Sequence, residues 1–127
     1  MPVDLHLVTP QREVWSGPAE MVIARGVAGE VGILAGHAPL LIQLAVGPLR
    51  IQQEDGQMLR AVVDGGFLHV SSGEDGTRVD VMASQAELES EIDFDAAARA
   101  QQELASLDDE ESVEALARAE ARVNLRS

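Results

Sequence analysis

The three histidines are the first candidates for metal or acid–base chemistry, and their spacing favours neither. His6, His37 and His69 lie far apart in the sequence, and no HExxH pattern or i, i+4 pair connects them. The chain also contains no cysteine, so a thiolate nucleophile and a cysteine-based zinc site are unavailable. We therefore expect no metal site. His37 follows a glycine in a predicted loop, where a hydrogen bond that orders the loop explains it.

Nucleophilic and phosphate-binding chemistry lack their usual residues as well. None of the serines sits in a GxSxG context, and all nine basic residues are arginine, so no lysine is present for a Schiff base or a phosphate loop. The glycines between Gly26 and Gly36 more closely fit turns between strands. We expect no catalytic residues and no cofactor. An enzyme that uses a carboxylate pair among the 22 acidic residues is the least favoured alternative.

The overall charge points to protein partners. The formal net charge is −13 and the isoelectric point is near 4.4, which repels nucleic-acid phosphates and anionic membrane surfaces. No apolar run approaches the roughly 20 residues that span a bilayer, and no basic leader precedes an apolar stretch. We expect a soluble, intracellular protein that binds neither nucleic acid nor lipid directly.

The chain up to about Ala83 has the pattern of an antiparallel β-sandwich or barrel. Short β-rich runs alternate with glycine-containing turns, and Val3, Leu5 and Leu7 alternate with polar residues as in a half-buried strand. Three dipeptides are predicted to separate neighbouring strands: Asp55-Gly56, Gly65-Gly66 and Asp75-Gly76.

The last forty residues have the composition of a helical hairpin. From about Glu87 alanine and acidic residues dominate, and neither glycine nor proline occurs. Asp93 is predicted to cap the first helix, and Asp108 with Glu111 forms a capping-box pattern before the second. The second helix carries only a thin apolar stripe, predicted to be Val113, Leu116, Ala117 and Val123. Such a hairpin is expected to be only marginally stable in isolation.

The helical segment also carries most of the negative charge. Residues 1–86 contain ten acids and five arginines, a net charge of −5, while residues 87–127 contain twelve acids and four arginines, a net charge of −8. Arg118, Arg122 and Arg126 recur at i, i+4 and i+8, which places three cations in a row on the last helix. The row is either a solvated helix face paired with neighbouring acids or a grip for a partner's carboxylates.

Three stretches resemble one protein family. The segment GEVGILAGHAPLLIQLAVGPLRI (29–51) is similar to the signature of epsilon subunits of bacterial F-type ATP synthases, and VDGGFLHV (63–70) and VTPQREVWSG (8–17) are similar to further strands of that family. The resemblance covers nearly the whole chain. It implies a β-sandwich of about ten strands at residues 1–86 and a regulatory helical hairpin at 87–127.

The resemblance also implies a role and contact residues. Members of the family are non-catalytic subunits at the foot of the central stalk, on the cytoplasmic face of the plasma membrane, and they couple rotation of the proton-driven c-ring through the gamma subunit to ATP synthesis. A loop formed by Glu30, Val31 and Gly32 matches the part that faces the c-ring. The segment His37, Ala38, Pro39 and Leu40 matches the part that lies against gamma.

The hairpin of this family inhibits ATP hydrolysis when it extends into the catalytic alpha/beta head. The resemblance then places Arg118, Arg122 and Arg126 near an acidic segment of the beta subunit. Some members bind ATP through an IDxxRA motif, but here Ala96 stands at the arginine position and Arg99 lies three residues later. The resemblance thus implies at most a weak ATP site at Ile92, Asp93 and Arg99. A free-standing ATP-sensing regulator is the alternative function.

Overall fold

The computed structural model describes residues 2–125, which form eight strands followed by two helices. The elements are β1 (Val3–Val8), β2 (Glu13–Ala19), β3 (Met21–Gly26), β4 (Gly29–Leu34), β5 (Leu40–Gln52), β6 (Met58–Gly73), β7 (Gly76–Ala83), β8 (Ala86–Leu88), a 3-10 turn (Glu89–Glu91), α1 (Phe94–Leu104) and α2 (Glu110–Leu125).

The strands form one continuous sheet that folds into the predicted β-sandwich. The order is β2-β1-β7-β6-β5-β3-β4, and β8 pairs with the first half of β6. Every pair is antiparallel except β1 with β7, which is parallel. The long strands β5 and β6 serve both layers, since β7 pairs with the second half of β6 and β3 pairs mainly with the second half of β5. The last strand, β8, crosses the domain boundary predicted at residue 86.

The prediction that Gly65-Gly66 separates two strands was wrong, because β6 continues through it. Both glycines adopt positive φ, 85° and 119°, which lets the chain bend without leaving the sheet. A Cβ at Gly66 would collide with the backbone carbonyl oxygen of Met82 on β7. The strand β5 likewise unites two predicted runs, so the sandwich has eight strands rather than about ten.

The core confirms the predicted alternation of buried and exposed positions. Val3, Leu5 and Leu7 on β1 are fully buried, as are Val79 and Val81 on β7. The polar phase faces outward on both strands, as a sheet with one buried face requires. The two other predicted turns are confirmed, with positive φ at Gly56 and Gly76.

The two helix caps gave one confirmed prediction and one wrong one. The carboxylate of Asp93 accepts a hydrogen bond from the backbone N–H of Ala96 at 2.9 Å and caps α1. The cap of α2 is Asp109 rather than Asp108, since Asp109 Oδ2 accepts from the N–H of Ser112 at 3.0 Å. Hydrogen bonding to Ser112, first to its side chain and then to this backbone N–H, lowers the pKa of Asp109.

The buried face of α2 differs from the predicted apolar stripe. Ala119 and Leu125 are its buried residues, whereas Val113 is 51% exposed and Ala117 is exposed. Packing against the sandwich determines which face of α2 is buried, because Leu125 forms a small apolar cluster with Val62 of β6 and with Ile92. Neither described helix combines the length and the hydropathy that a bilayer crossing requires.

Candidate functional site

The residues predicted to face a c-ring lie in an edge strand, not in a loop. Glu30, Val31 and Gly32 belong to β4, which forms a hairpin with β3 through Val27 and Ala28 and has no strand on its other side in residues 2–125. Glu30 is exposed and its Oε2 accepts a hydrogen bond from Nη2 of Arg50 at 2.9 Å. The strand therefore offers an open edge and a carboxylate that already has a partner of its own.

The segment after β4 is held as an ordered loop by four hydrogen bonds. The N–H of Gly36 donates to Oγ1 of Thr77 at 2.7 Å, and the N–H of His37 donates to the carbonyl of Leu34 at 3.1 Å. The hydroxyl of Ser72 donates to the carbonyl of His37 at 3.0 Å, and His37 Nδ1 lies 2.7 Å from the carbonyl of Ala38. These contacts confirm the loop-ordering interpretation of His37. Ala38 and Pro39 remain exposed at the tip.

An exposed apolar row continues from this loop across the sheet. It consists of Leu41, Phe67 and Met82, which are 64%, 49% and 44% exposed. Phe67 pairs with Met82 on β7 and with Gln43 on β5, and Leu41 is its diagonal neighbour on the same face. Large apolar side chains in the outward phase of three adjacent strands form a patch of the kind that marks protein interfaces. We call this patch the outer apolar row.

Arg122 fastens α2 to the sandwich. Its Nη1 and Nη2 donate to the two carboxylate oxygens of Asp64 on β6, both at 3.0 Å, and its Nε donates to Glu87 at 2.5 Å. The side chains of Arg122 and Asp64 are 15% and 3% exposed. Burial lowers the pKa of Arg122, but the hydrogen bonds to Asp64 and Glu87 together outweigh burial and leave its pKa raised. A bidentate ion pair requires one relative geometry of the two side chains, and this one has little exposure to water, so it is a specific contact.

Arg118, also predicted for a beta-subunit contact, does not join Arg122 in this clamp. Arg118 is half-buried one helical turn earlier, where its carbonyl accepts a hydrogen bond from Arg122 Nη1 at 3.0 Å. Arg126 lies outside the described residues. The solvated-face interpretation therefore fails for Arg122, because its carboxylate partners, Asp64 and Glu87, are on the sandwich rather than on its own helix.

The predicted ATP residues are not brought together by the fold. A groove of about 440 Å³ lies between the helices and the sheet, and Asp93, Arg118 and Arg122 contribute to its lining. Ile92 is instead buried in the cluster with Val62 and Leu125, and Arg99 is exposed and does not line the groove. The carboxylate of Asp93 is also already used in capping α1. Arg99 is thus not placed to replace the missing motif arginine.

Sequence reasoning missed the partners of Arg122 and the outer apolar row. The sequence contained one signal for each. Asp64 is an acidic residue inside a run that otherwise has the pattern of a strand, and Phe67 is a large apolar residue at a position of GGFLHV where the alternation predicts a polar one. In the described part of the chain, no three His, Asp or Glu residues cluster as metal ligands do.

Comparisons with known proteins give a consistent result. The family model described as "ATP synthase, Delta/Epsilon chain, beta-sandwich domain" matches residues 2–89. The ATP synthase epsilon chain of Streptomyces avermitilis is 39% identical over 125 residues, covering 97% of this chain and 95% of that protein. The epsilon chain of Brevibacillus brevis is 43% identical over 98 residues, covering 77% and 71% of the two chains.

Solved structures show the same fold. A chain in the mitochondrial ATP synthase of Euglena gracilis, in a complex of OSCP, F1 and c-ring, superposes with a TM-score of 0.81 at 30% identity and covers 94% of this chain and 78% of that one. A chain in the central stalk and c-ring of the Tetrahymena thermophila enzyme superposes at 0.61 with 17% identity, covers 98% and 93% of the two chains and supports the fold alone.

Proposed function

Because this chain belongs to the family of ATP synthase delta/epsilon chains, we propose that it is a non-catalytic subunit of the central stalk of an F-type ATP synthase. In this role it joins the gamma subunit to the c-ring and passes torque between them, on the cytoplasmic face of the membrane in a proton-driven enzyme. The observation that carries the proposal is the likeness of the whole chain, sandwich and hairpin together, to epsilon chains.

The gamma contact is assigned to the His37–Leu40 segment and the outer apolar row. Four hydrogen bonds preorganise the segment, which lowers the entropy that a partner must remove on binding. The outer apolar row extends the same surface with side chains that gain from burial. The two features together offer an ordered loop and, beginning directly after it in the chain with Leu41, exposed apolar side chains as a contact surface for gamma.

The c-ring contact is assigned to the β4 edge. Gly32 has no side chain, and Glu30 is more than half exposed, so the edge allows close backbone approach beside a carboxylate. A basic loop on a c subunit would compete with Arg50 for Glu30. An exposed ion pair is weak, of the order of 1 kcal/mol or less, so this exchange is energetically easy.

The hairpin is assigned a regulatory role, inhibition of ATP hydrolysis. In the docked state Arg122 is held by Asp64 and Glu87. Release of the hairpin frees Arg122 to join Arg118 in contacting carboxylates of a beta subunit. Release also exposes the apolar side chains of Val62, Ile92 and Leu125. The docked state is therefore stabilised both by ion pairs and by apolar contacts. ATP sensing is not part of the proposal, because Arg99 lies away from the groove.

A binding assay with the gamma subunit of the same synthase tests the proposal. Phe67→Asp places a charge in the outer apolar row without touching the core, and we expect the affinity for gamma to fall by at least about thirtyfold. The matched control is Leu107→Asp, at an exposed leucine in the turn between α1 and α2. Equal affinity of the Phe67→Asp variant and the parent chain would contradict the assignment of this face.

A further inference from the structure

Three arginines converge on one cleft between the sandwich and α2. Arg25 of β3, Arg50 of β5 and Arg60 of β6 line a cleft of about 320 Å³, together with Pro48 of β5. Ala121, Asn124 and Leu125 of α2 complete the wall. A third of the nine arginines thus occupies one site in a chain of net charge −13. We call this site the arginine cleft.

Two of these cations are direct neighbours across the sheet. Arg50 and Arg60 are register partners in the β5–β6 pair, and both side chains lie on the outer face. Like charges directly opposite one another in an antiparallel pair destabilise a sheet. An anion between the two guanidinium groups would relieve this repulsion.

The carboxylates nearby compensate the three cations only in part. Glu30 contacts Arg50 through one oxygen at 2.9 Å, and Glu89 reaches Arg60 only at 3.8 Å. Arg25 forms no ion pair or hydrogen bond within residues 2–125. A Cβ at Gly47 would lie 3.2 Å from Cδ and 3.3 Å from Nη1 of Arg25, so this arginine extends across the bare backbone of Gly47. The cleft therefore retains positive charge and unused N–H donors.

We propose that the arginine cleft binds a small phosphate-type anion, with inorganic phosphate and diphosphate as the smallest ligands of this class. Guanidinium groups match phosphate oxygens in bidentate geometry. The side-chain amide of Asn124 adds a further donor from α2. The volume lies at the lower end of the usual range for small-molecule sites, roughly 300 to 1,000 Å³, which suits a small ligand rather than a protein segment.

The lining also indicates what the site does not recognise. Within residues 2–125 no aromatic side chain borders the cleft, so a nucleotide base would find no stacking partner there, and binding should depend on the phosphate groups alone. The groove that contains Asp93 and Arg118 is lined by other residues of α2, so the two sites are separate. Because Asn124 and Leu125 form one wall, the cleft is complete only while α2 is docked.

A titration of the full chain with diphosphate, followed by NMR of the arginine Nε–H groups, tests this site. At constant ionic strength, which removes general screening effects, we expect the signals of Arg25, Arg50 and Arg60 to shift together and saturate with a dissociation constant below about 1 mM. The Asn124 amide should shift with them. Absence of saturation by about 10 mM diphosphate would overturn the proposal.

Matched variants separate a built site from general attraction to arginine. Arg60→Gln should weaken diphosphate binding at least about tenfold, because it removes a charge-assisted contact. Arg78→Gln, at a residue of β7 that does not line the cleft and pairs with Asp80 at 3.0 Å, should leave diphosphate binding unchanged. Equal losses of diphosphate affinity in Arg60→Gln and Arg78→Gln would overturn the proposed site. So would an acidic peptide that binds more tightly than diphosphate, or ATP that binds more tightly than inorganic triphosphate.

Discussion

Nη1 of Arg122 lies 3.0 Å from Oδ1 of Asp64, and this contact joins the last helix to a strand 58 residues earlier in the chain. The pair lies at the interface between hairpin and sandwich, and Glu87 accepts a further hydrogen bond from the same guanidinium. A buried pair of this kind is costly to break by removal of one partner, because the other charge stays behind in a site with little water.

We expect Arg122→Met to undock the hairpin. The substitution leaves Asp64 buried without its cation, at a cost of about 3 to 5 kcal/mol to the docked state. Hydrogen exchange of the α2 amides should then accelerate by two orders of magnitude or more, by about a factor of ten per 1.4 kcal/mol. Arg99→Met, the same substitution at an exposed position of α1, is the matched control. Unchanged protection of α2 in Arg122→Met would show that the clamp does not hold the hairpin.

The cap of α2 gives a second prediction with a neighbouring control. Asp109→Ala removes the acceptor for the N–H of Ser112 and should lower the stability of the hairpin, as loss of an N-cap side chain does. Asp108→Ala, one residue earlier, should change it by less than about 0.5 kcal/mol. Helicity by circular dichroism during thermal unfolding measures both. A larger loss of stability in Asp108→Ala than in Asp109→Ala would instead support the capping box predicted from sequence.

The ion pair between Arg12 and Glu91 predicts a specific response to acid. The hydrogen bond from Arg12, followed by that from the N–H of Leu88, holds the pKa of Glu91 below its ordinary value near 4.5. Since the pKa is lower in the folded state, the stabilisation is complete above the unfolded value and is lost as pH falls through the folded value. Chemical denaturation between about pH 6 and 2.5 should show a steeper loss in the parent chain than in Glu91→Gln.

An equal pH dependence in the two proteins would contradict this interpretation of Glu91. The effect should be modest, because the side chains of Arg12 and Glu91 are 46% and 35% exposed and water screens the pair. Glu54→Gln, in the exposed turn between β5 and β6, provides a control for the removal of one carboxylate.

Much of the fold could be predicted from sequence, because alternation, turn dipeptides and composition are local signals. Val3, Leu5 and Leu7 identified a half-buried strand, and Asp93 identified the start of α1. The parallel pairing of β1 with β7 could not be predicted, since it depends on which distant strands meet. The continuity of β6 was missed because Gly65-Gly66 has the composition of a turn but here bends a strand.

The contact surfaces were less accessible to sequence reasoning than the fold. The spacing of Arg118 and Arg122 identified a cationic row, but only the tertiary structure shows that Arg122 pairs with Asp64 and has little exposure to water. The arginine cleft was likewise hidden, because Arg25, Arg50 and Arg60 lie on three strands and become neighbours only through the register of the sheet. Long-range pairing determines both features, and no local pattern encodes it.

The role as a coupling subunit is tested most directly in inverted membrane vesicles that contain the synthase of the same cell, depleted of this chain and then supplied with it. We expect depleted vesicles to hydrolyse ATP with little proton pumping, and re-addition of the parent chain to restore pumping driven by ATP. Phe67→Asp should fail to restore pumping, whereas Leu107→Asp should succeed. Full proton pumping in vesicles that lack the chain would contradict the account.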